Sequence, residues 1–131
     1  MPHEGKVYLG LFGHNFDPAK LDLGIAPTKV MIETVPLPKQ SAWIYSSERV
    51  IADLVDIYAM SAAVVATLRP HEDAISTAVK AHRLEAILEV VLTISSDESI
   101  SMPAIGFDSE VLGFMSRLGG SIDVDTYRAA S

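Results

Sequence analysis

The feature that most constrains the fold is a run of alternating side chains at residues 84–94. Leu84, Ala86, Leu88, Val90, Leu92 and Ile94 share one side of this run, whereas Glu85, Ile87, Glu89, Val91 and Thr93 share the other. Successive side chains of a β-strand point to opposite faces, so the pattern predicts a strand with one buried and one wet face. Such a strand needs a sheet that has a core on one side.

Shorter patterns predict the remaining elements. Strands are predicted at residues 6–12, 28–35, 42–46 and 121–127, with a further short strand at 103–107. Helices are predicted after Asp17-Pro18 as far as Gly24, from Ser46 or Ser47 through Leu68, from Pro70 to about Arg83, and from Asp108 to Gly119-Gly120. The order βαββααββαβ predicts an α+β fold with a mainly antiparallel sheet and helices packed on one face.

Composition bounds the class of protein. The chain has 131 residues, of which 49% are hydrophobic and 21% charged, so we expect a single globular domain, 1–131. The absence of cysteine excludes disulfides and thiolate chemistry. No secretory signal is recognisable, and the longest apolar stretch, residues 57–68, is too short to span a bilayer. We therefore expect a cytoplasmic protein that does not contact membranes.

The charge is acidic and unevenly distributed. The formal net charge is −7, which argues against nucleic acid as a partner because phosphate contacts need clustered Lys and Arg. Residues 1–84 have a balance of −1, whereas residues 85–131 have a balance of −6. If the strands at 84–94 and 121–127 lie in one sheet, their acidic rows together make one wet face acidic.

An acidic face with apolar residues among the charges suits a basic protein partner, because charge steers the encounter and apolar burial holds the complex. The predicted partner-binding residues are Glu85, Ile87, Glu89, Val91, Asp97, Glu98, Asp123, Asp125 and Tyr127. In the competing interpretation these acids only keep an exposed sheet face soluble and block edge pairing.

The residues predict no catalytic site, no metal site and no cofactor. Asp123 and Asp125 share one side of a strand, but two carboxylates make a poor cation site. The four histidines are scattered, with His3 in an irregular terminus, and no pair has the spacing of a zinc motif. The loop from His14 to Asp17, between a strand and a helix, is the one place where catalysis could be located, although such a loop is more often a turn with a helix cap.

Several landmarks in this order resemble a bacterial domain-of-unknown-function family, number four-two-seven-nine. They are Asp17-Pro18, Leu23-Gly24-Ile25-Ala26-Pro27-Thr28, Ser41-Ala42-Trp43, Leu68-Arg69-Pro70, and the run at residues 118–127 that ends in the pattern I-D-x-D-x-Y. The resemblance covers roughly Val7 to Tyr127. Where the family often has Lys-Gly after the second strand, this chain has Glu33-Thr34-Val35-Pro36. The resemblance implies a small bacterial cytosolic protein, and some members look like immunity proteins of contact-dependent growth inhibition or other polymorphic toxin systems.

Three functional hypotheses follow. The leading one is a non-enzymatic cytosolic immunity protein that binds and neutralises a basic toxin domain, with a nuclease as the candidate class, through the acidic sheet face. The first alternative is a small-molecule-binding or enzymatic domain that combines the His14–Asp17 loop with Asp123 or Asp125. The second is a structural homo-oligomer that buries an aromatic sheet face.

Overall fold

A computed structural model of the chain describes residues 1–32 and 40–130. The strands are β1 His3–Gly13, β2 Lys29–Met31, β3 Ser41–Ser46, β4 Val50–Ala52, β5 Glu85–Ile94 and β6 Ser121–Arg128. The α-helices are α1 Ile57–Leu68, α2 Glu72–His82 and α3 Ser109–Arg117, and short 3₁₀ helices occupy Pro18–Lys20 and Arg69–His71. Within these described residues, no helix has both the length and the apolar character needed to cross a membrane.

The strands form one sheet in the order β2-β3-β1-β5-β6, and β4 pairs with the beginning of β1. All described pairs are antiparallel except β5 and β6, which run parallel. A parallel pair requires a crossover, which here contains α3. The predicted α+β class and mainly antiparallel sheet are therefore confirmed.

The core lies between the sheet and the helices. Alternate residues of β1 and β5, among them Leu9 and Leu88, are fully buried together with Phe114 of α3. Trp43 on β3 is also fully buried. The other sheet face carries the alternate, half-buried or exposed residues of the same strands, so the alternation at residues 84–94 correctly predicts both faces.

The largest correction concerns the start of the long helix. It begins at Ile57 with Asp56 as its cap, whose side chain accepts a hydrogen bond from the Ala59 N–H at 3.3 Å. Neither predicted cap serves: Ser46 lies in β3. Ser47 instead binds β1, where its N–H donates to the Val7 carbonyl and its hydroxyl accepts from the Val7 N–H. Residues 50–52 are β-branched or small and pair with the first residues of β1, which competes successfully with helix formation.

Other boundaries differ less. Asp17 caps a helix as predicted, but this helix is a single 3₁₀ turn that ends at Lys20. The predicted strand at 103–107 is reduced to one bridge between Ala104 and Asp56. The predicted strand at 28–35 is observed as β2, whereas its end, including Glu33-Thr34-Val35, lies outside the described residues. The caps and end of α3 are as predicted, with Asp108 accepting from the Val111 N–H and Gly119 at a φ of +67°.

His3 does not lie in an irregular terminus but inside β1, where it is 1% exposed. The Ser95 N–H donates to its Nδ1 at 2.9 Å, so its Nε2–H donates to the Ser101 carbonyl at 2.7 Å. The imidazole therefore ties the loop after β5 to the beginning of the sheet, 92 and 98 positions apart in sequence.

Candidate acidic binding face

The acidic rows of β5 and β6 lie side by side on the sheet face that the helices leave open. The parallel register sets Glu89 beside Asp123 and Val91 beside Asp125. Since side chains at paired positions point to the same face, the carboxylates of both strands converge. The condition on which the acidic face depended, that these two strands lie in one sheet, is therefore met.

Three carboxylates form the centre of this face, and we call Glu89, Asp123 and Asp125 the acidic cluster. One oxygen from each lies within 4.8 Å of the others. Glu89 Oε2 is shielded from solvent and has no hydrogen-bond partner among the described residues. The pKa of Glu89 is raised from 4.5 to about 7. Burial is the largest cause, and the neighbouring carboxylates of Asp123 and Asp125 add to it.

No basic side chain of the described residues forms an ion pair with the acidic cluster. Arg117 is committed elsewhere, because it makes two hydrogen bonds of 2.9 Å to Glu72 between α3 and α2. Arg69 pairs with Glu110 on the helix side of the sheet. Within the described residues, the carboxylates of the cluster are therefore not neutralised by a direct ion pair.

The acidic cluster also bears on metal binding, since carboxylate oxygens are the ligands that Ca²⁺ and Mg²⁺ prefer. Calcium takes six to eight oxygen ligands, and magnesium demands a near-ideal octahedron. Three carboxylates, of which Asp123 and Asp125 are exposed, supply only part of either coordination sphere. The cluster alone is therefore better suited to a cationic side chain than to a bare ion.

Tyr8 and Lys6 of β1 border the acidic cluster, and the sequence did not identify either as a site residue. Tyr8 pairs with Glu89 across the β1–β5 ladder, and Lys6 Nζ lies 5.6 Å from the centre of the Tyr8 ring. Burial and then the charge of Glu89 raise the pKa of the Tyr8 phenol. A neutral phenol beside three carboxylates is a hydrogen-bond donor at the edge of the site.

The other predicted residues are spread along the same face. Glu85 pairs with Phe12 and is four residues from Glu89, a separation of about 13 Å along a strand. Ile87 and Val91 are half-buried within the sheet and offer little contact area. Tyr127 is 57% exposed and is the largest accessible apolar group on β6.

Asp97 and Glu98 lie in the loop after β5, beyond the acidic cluster. Asp97 accepts hydrogen bonds from the Ser99 hydroxyl at 2.6 Å and the Ser99 N–H at 2.9 Å, which hold its pKa below the usual range. Glu98 lines a groove of about 570 Å³ at the end of β6, together with Tyr127 and Met102. Glu98 and Tyr127 thus meet at the same groove, whereas Asp97 stabilises its own turn.

The structure does not bring the His14–Asp17 loop to the acidic cluster. The loop follows the end of β1, where Phe12 pairs with Glu85, four residues along β5 from the Glu89–Asp123 pair. The side chain of Asp17 caps the 3₁₀ helix by accepting from the Ala19 N–H at 3.0 Å. Asp17 therefore has a local structural role.

The raised pKa of Glu89 predicts a pH-dependent stability. Between pH 4.5 and about 7 the folded state holds a proton on Glu89 that the unfolded state has released, so the free energy of unfolding falls as pH rises through this window. Glu89→Gln removes this decline and should leave the variant more stable than wild type at pH 8, by about 1 kcal/mol after allowing for solvent screening.

Urea unfolding of both proteins between pH 5 and pH 8 measures this difference, with Glu48→Gln at an exposed loop position as the matched control. Parallel pH profiles for wild type and Glu89→Gln would contradict the assignment of a raised pKa to Glu89.

Comparison with known proteins agrees with the motifs of the sequence. A family model described as "Domain of unknown function (DUF4279)" matches residues 3–129, which include every described strand and helix. No curated protein is significantly similar to the chain, and no solved structure is either. On a match of this length, the chain belongs to the DUF4279 family of domains of unknown function.

Proposed function

We propose that this protein is a cytosolic, non-enzymatic immunity protein that binds and neutralises a basic toxin domain. The observation that carries the proposal is the acidic cluster, three mutually close carboxylates that form no ion pair with a basic side chain among residues 1–32 and 40–130 and lie on the sheet face opposite the core. A toxin that acts on nucleic acid is the favoured class, because phosphate binding requires a basic surface.

The energetics of the acidic cluster favour a cationic partner. Burial and the two adjacent aspartates raise the pKa of Glu89 to about 7, so this carboxyl carries only part of its charge at neutral pH. A Lys or Arg side chain placed among the three oxygens would reverse the local repulsion and ionise Glu89. Like charges held together without compensation cost folding free energy, and natural proteins tend to retain such a cost where function requires it.

The face also has the two parts that a protein-binding surface needs. Charge on Asp123 and Asp125 steers a basic partner toward the sheet and raises the association rate. Tyr127, exposed next to the groove that contains Met102, offers apolar area for a stable contact.

A cavity on the same sheet face supports the small-molecule alternative. It has a volume of about 510 Å³ and lies over β1, β2 and β3, and its lining includes Lys6, Lys29, Tyr8, Phe12 and Ile44. A lining with two lysines and two aromatic side chains would suit a small organic anion. Titration with aromatic carboxylates, monitored at the Tyr8 and Phe12 resonances, distinguishes this candidate from the first.

The proposal is tested by capture from the native host cell with the tagged protein, at low and high salt, followed by expression of the captured protein alone. We expect a basic protein that is retained at low salt and arrests growth when it is made without its neutralising partner. Glu89→Lys/Asp123→Lys, used as bait in parallel, should retain it weakly.

A matched bait, Glu48→Lys/Asp53→Lys, has the same net charge but changes exposed residues around β4, on the opposite side of β1 from β5. It should capture as wild type does. If no captured protein impairs growth, or if the two double variants behave alike, the immunity proposal is wrong.

A further inference from the structure

β6 forms an open edge of the sheet. It pairs with β5 on one side, and among residues 1–32 and 40–130 no strand pairs with its other side. The strand is eight residues long and almost entirely exposed. An unpaired edge of this length displays a row of free N–H and C=O groups that can accept another strand.

The register identifies which backbone groups point outward. Ile94 of β5 is paired with Arg128, and the N–H of Ala129 donates to the Ile94 carbonyl at 2.8 Å. In a parallel ladder, a residue bonds to the neighbours of its register partner, and the direction of the backbone groups alternates along the strand. Since Ala129 faces β5, residues 123, 125 and 127 also face β5. The residues between them face outward, and these are Ile122, Val124, Thr126 and Arg128.

The side chains along this edge differ between its two faces. Asp123 and Asp125 project on the open sheet face, where they belong to the acidic cluster. Val124, on the other face, is 36% exposed although its neighbour Val90 is fully buried. At the end of the strand, Tyr127 and the 65% exposed Met102 border the groove of about 570 Å³.

We infer that the partner binds by adding an extended strand to the outer edge of β6, with Lys or Arg at alternate positions opposite Asp123 and Asp125. This inference rests on the proposed function and specifies how the partner is recognised. Main-chain hydrogen bonds to the outward residues supply affinity, and the acidic row selects basic side chains. A large apolar side chain at the end of the added strand fills the groove beside Tyr127.

A second copy of the chain paired about Val124, the outward residue between the two aspartates, fits this edge poorly. Two-fold antiparallel pairing of β6 with itself, centred on Val124, would set the Asp123 of each copy opposite the Asp125 of the other. Like charges directly opposite each other in a ladder are destabilising. Charge complementarity therefore points to a basic strand from a different protein.

The direct test uses synthetic eight-residue peptides of alternating lysine and valine, followed by the backbone resonances of the intact protein. We expect the amides of Val124 and Thr126 to shift on titration and to become protected from exchange. A peptide N-methylated at two amides that face β6 should bind at least about tenfold more weakly. A peptide of the same sequence that is N-methylated at two amides facing away from β6 should bind as tightly as the unmethylated peptide.

A variant pair tests the edge from the side of the protein. Val124→Pro removes one outward N–H without removing a bond to β5, a position where an edge strand tolerates proline. It should weaken the peptide about tenfold, whereas Val124→Thr keeps the N–H and should bind within twofold of wild type. If Val124→Pro perturbs the fold, the two N-methylated peptides still test whether the peptide pairs with the edge of β6.

The outcomes separate this inference from the proposed function. Equal binding of both methylated peptides, or shifts confined to the acidic side chains, would overturn strand addition. If the captured partner loses affinity for Glu89→Lys/Asp123→Lys but not for Val124→Pro, the immunity proposal stands and the edge is not used. If the peptide pairs with β6 but no captured protein arrests growth, the edge is a peptide site and the immunity proposal fails.

Discussion

Glu89→Lys/Asp123→Lys is expected to lose at least about 100-fold in affinity for the basic partner while remaining as stably folded as wild type at pH 8. Removing one member of a buried charge pair at an interface costs about 2–5 kcal/mol, and about 1.4 kcal/mol corresponds to a factor of ten. Here two attractive charges become repulsive, so 100-fold is the lower bound.

Stability should not fall together with affinity. Wild type holds three carboxylates within 4.8 Å of one another, whereas the variant places two ammonium groups beside Asp125. Three repulsive charge pairs are thereby replaced by two attractive pairs and one repulsive pair. Loss of binding together with unchanged or higher stability is the signature of a functional surface and not of a damaged fold.

Calorimetric titration with the captured partner and urea unfolding measure the two quantities on the same samples. Glu48→Lys/Asp53→Lys is the matched control, with the same net charge and an expected affinity within about threefold of wild type, because distant exposed charges are screened. A variant that binds normally, or one that loses binding only because it unfolds, would contradict the role of the acidic cluster.

His3→Ala is expected to destabilise the protein by about 2–4 kcal/mol, the largest effect on stability that we predict for a polar residue. The imidazole is 1% exposed and satisfies the Ser95 N–H and the Ser101 carbonyl. Alanine leaves both groups without a partner and opens a cavity between β1 and the loop after β5.

Thermal and urea unfolding measure this loss, with His82→Ala as the control. His82 is exposed at the end of α2, and its ring centroid lies 6.1 Å from that of Phe16, so its removal should cost less than about 0.5 kcal/mol. The loop that His3 holds contributes Ser95, Ser96 and Glu98 to the groove beside Tyr127. An effect of His3→Ala as small as that of His82→Ala would contradict its role in holding the loop.

Much of the fold follows from local sequence patterns. The alternation at residues 84–94 predicts the strand, its buried face and its acidic face because burial acts on one side of a sheet only. Asp17 and Asp108 are recognisable caps because a short acidic side chain can reach the free N–H groups of a first turn. These interactions lie within a few residues of the chain.

Errors arose where distant residues decide between alternatives. Ser47 and Asp56 are both acceptable helix caps, and only the pairing of residues 50–52 with the beginning of β1 makes Asp56 the cap. His3 is indistinguishable from a terminal residue in sequence because its partners, Ser95 and Ser101, lie more than 90 positions away. The strand order follows from such contacts as well.

For the candidate site as well, local patterns predict some features, whereas long-range contacts determine the others. The sequence indicates that Asp123 and Asp125 share a face, and that Glu85 and Glu89 do, since strand alternation requires it. That Glu89 is the residue beside Asp123 depends on the parallel register of β5 and β6. Tyr8 was missed as a site residue because its contact with Glu89 requires β1 to lie next to β5.

The most direct test of the central claim is a growth-rescue measurement in cells that produce the captured basic protein. Co-production of wild type should restore growth, and so should Glu48→Lys/Asp53→Lys. Glu89→Lys/Asp123→Lys should accumulate to the same level in folded form and fail to restore growth. Equal rescue by all three proteins would show that the acidic cluster is not the neutralising surface.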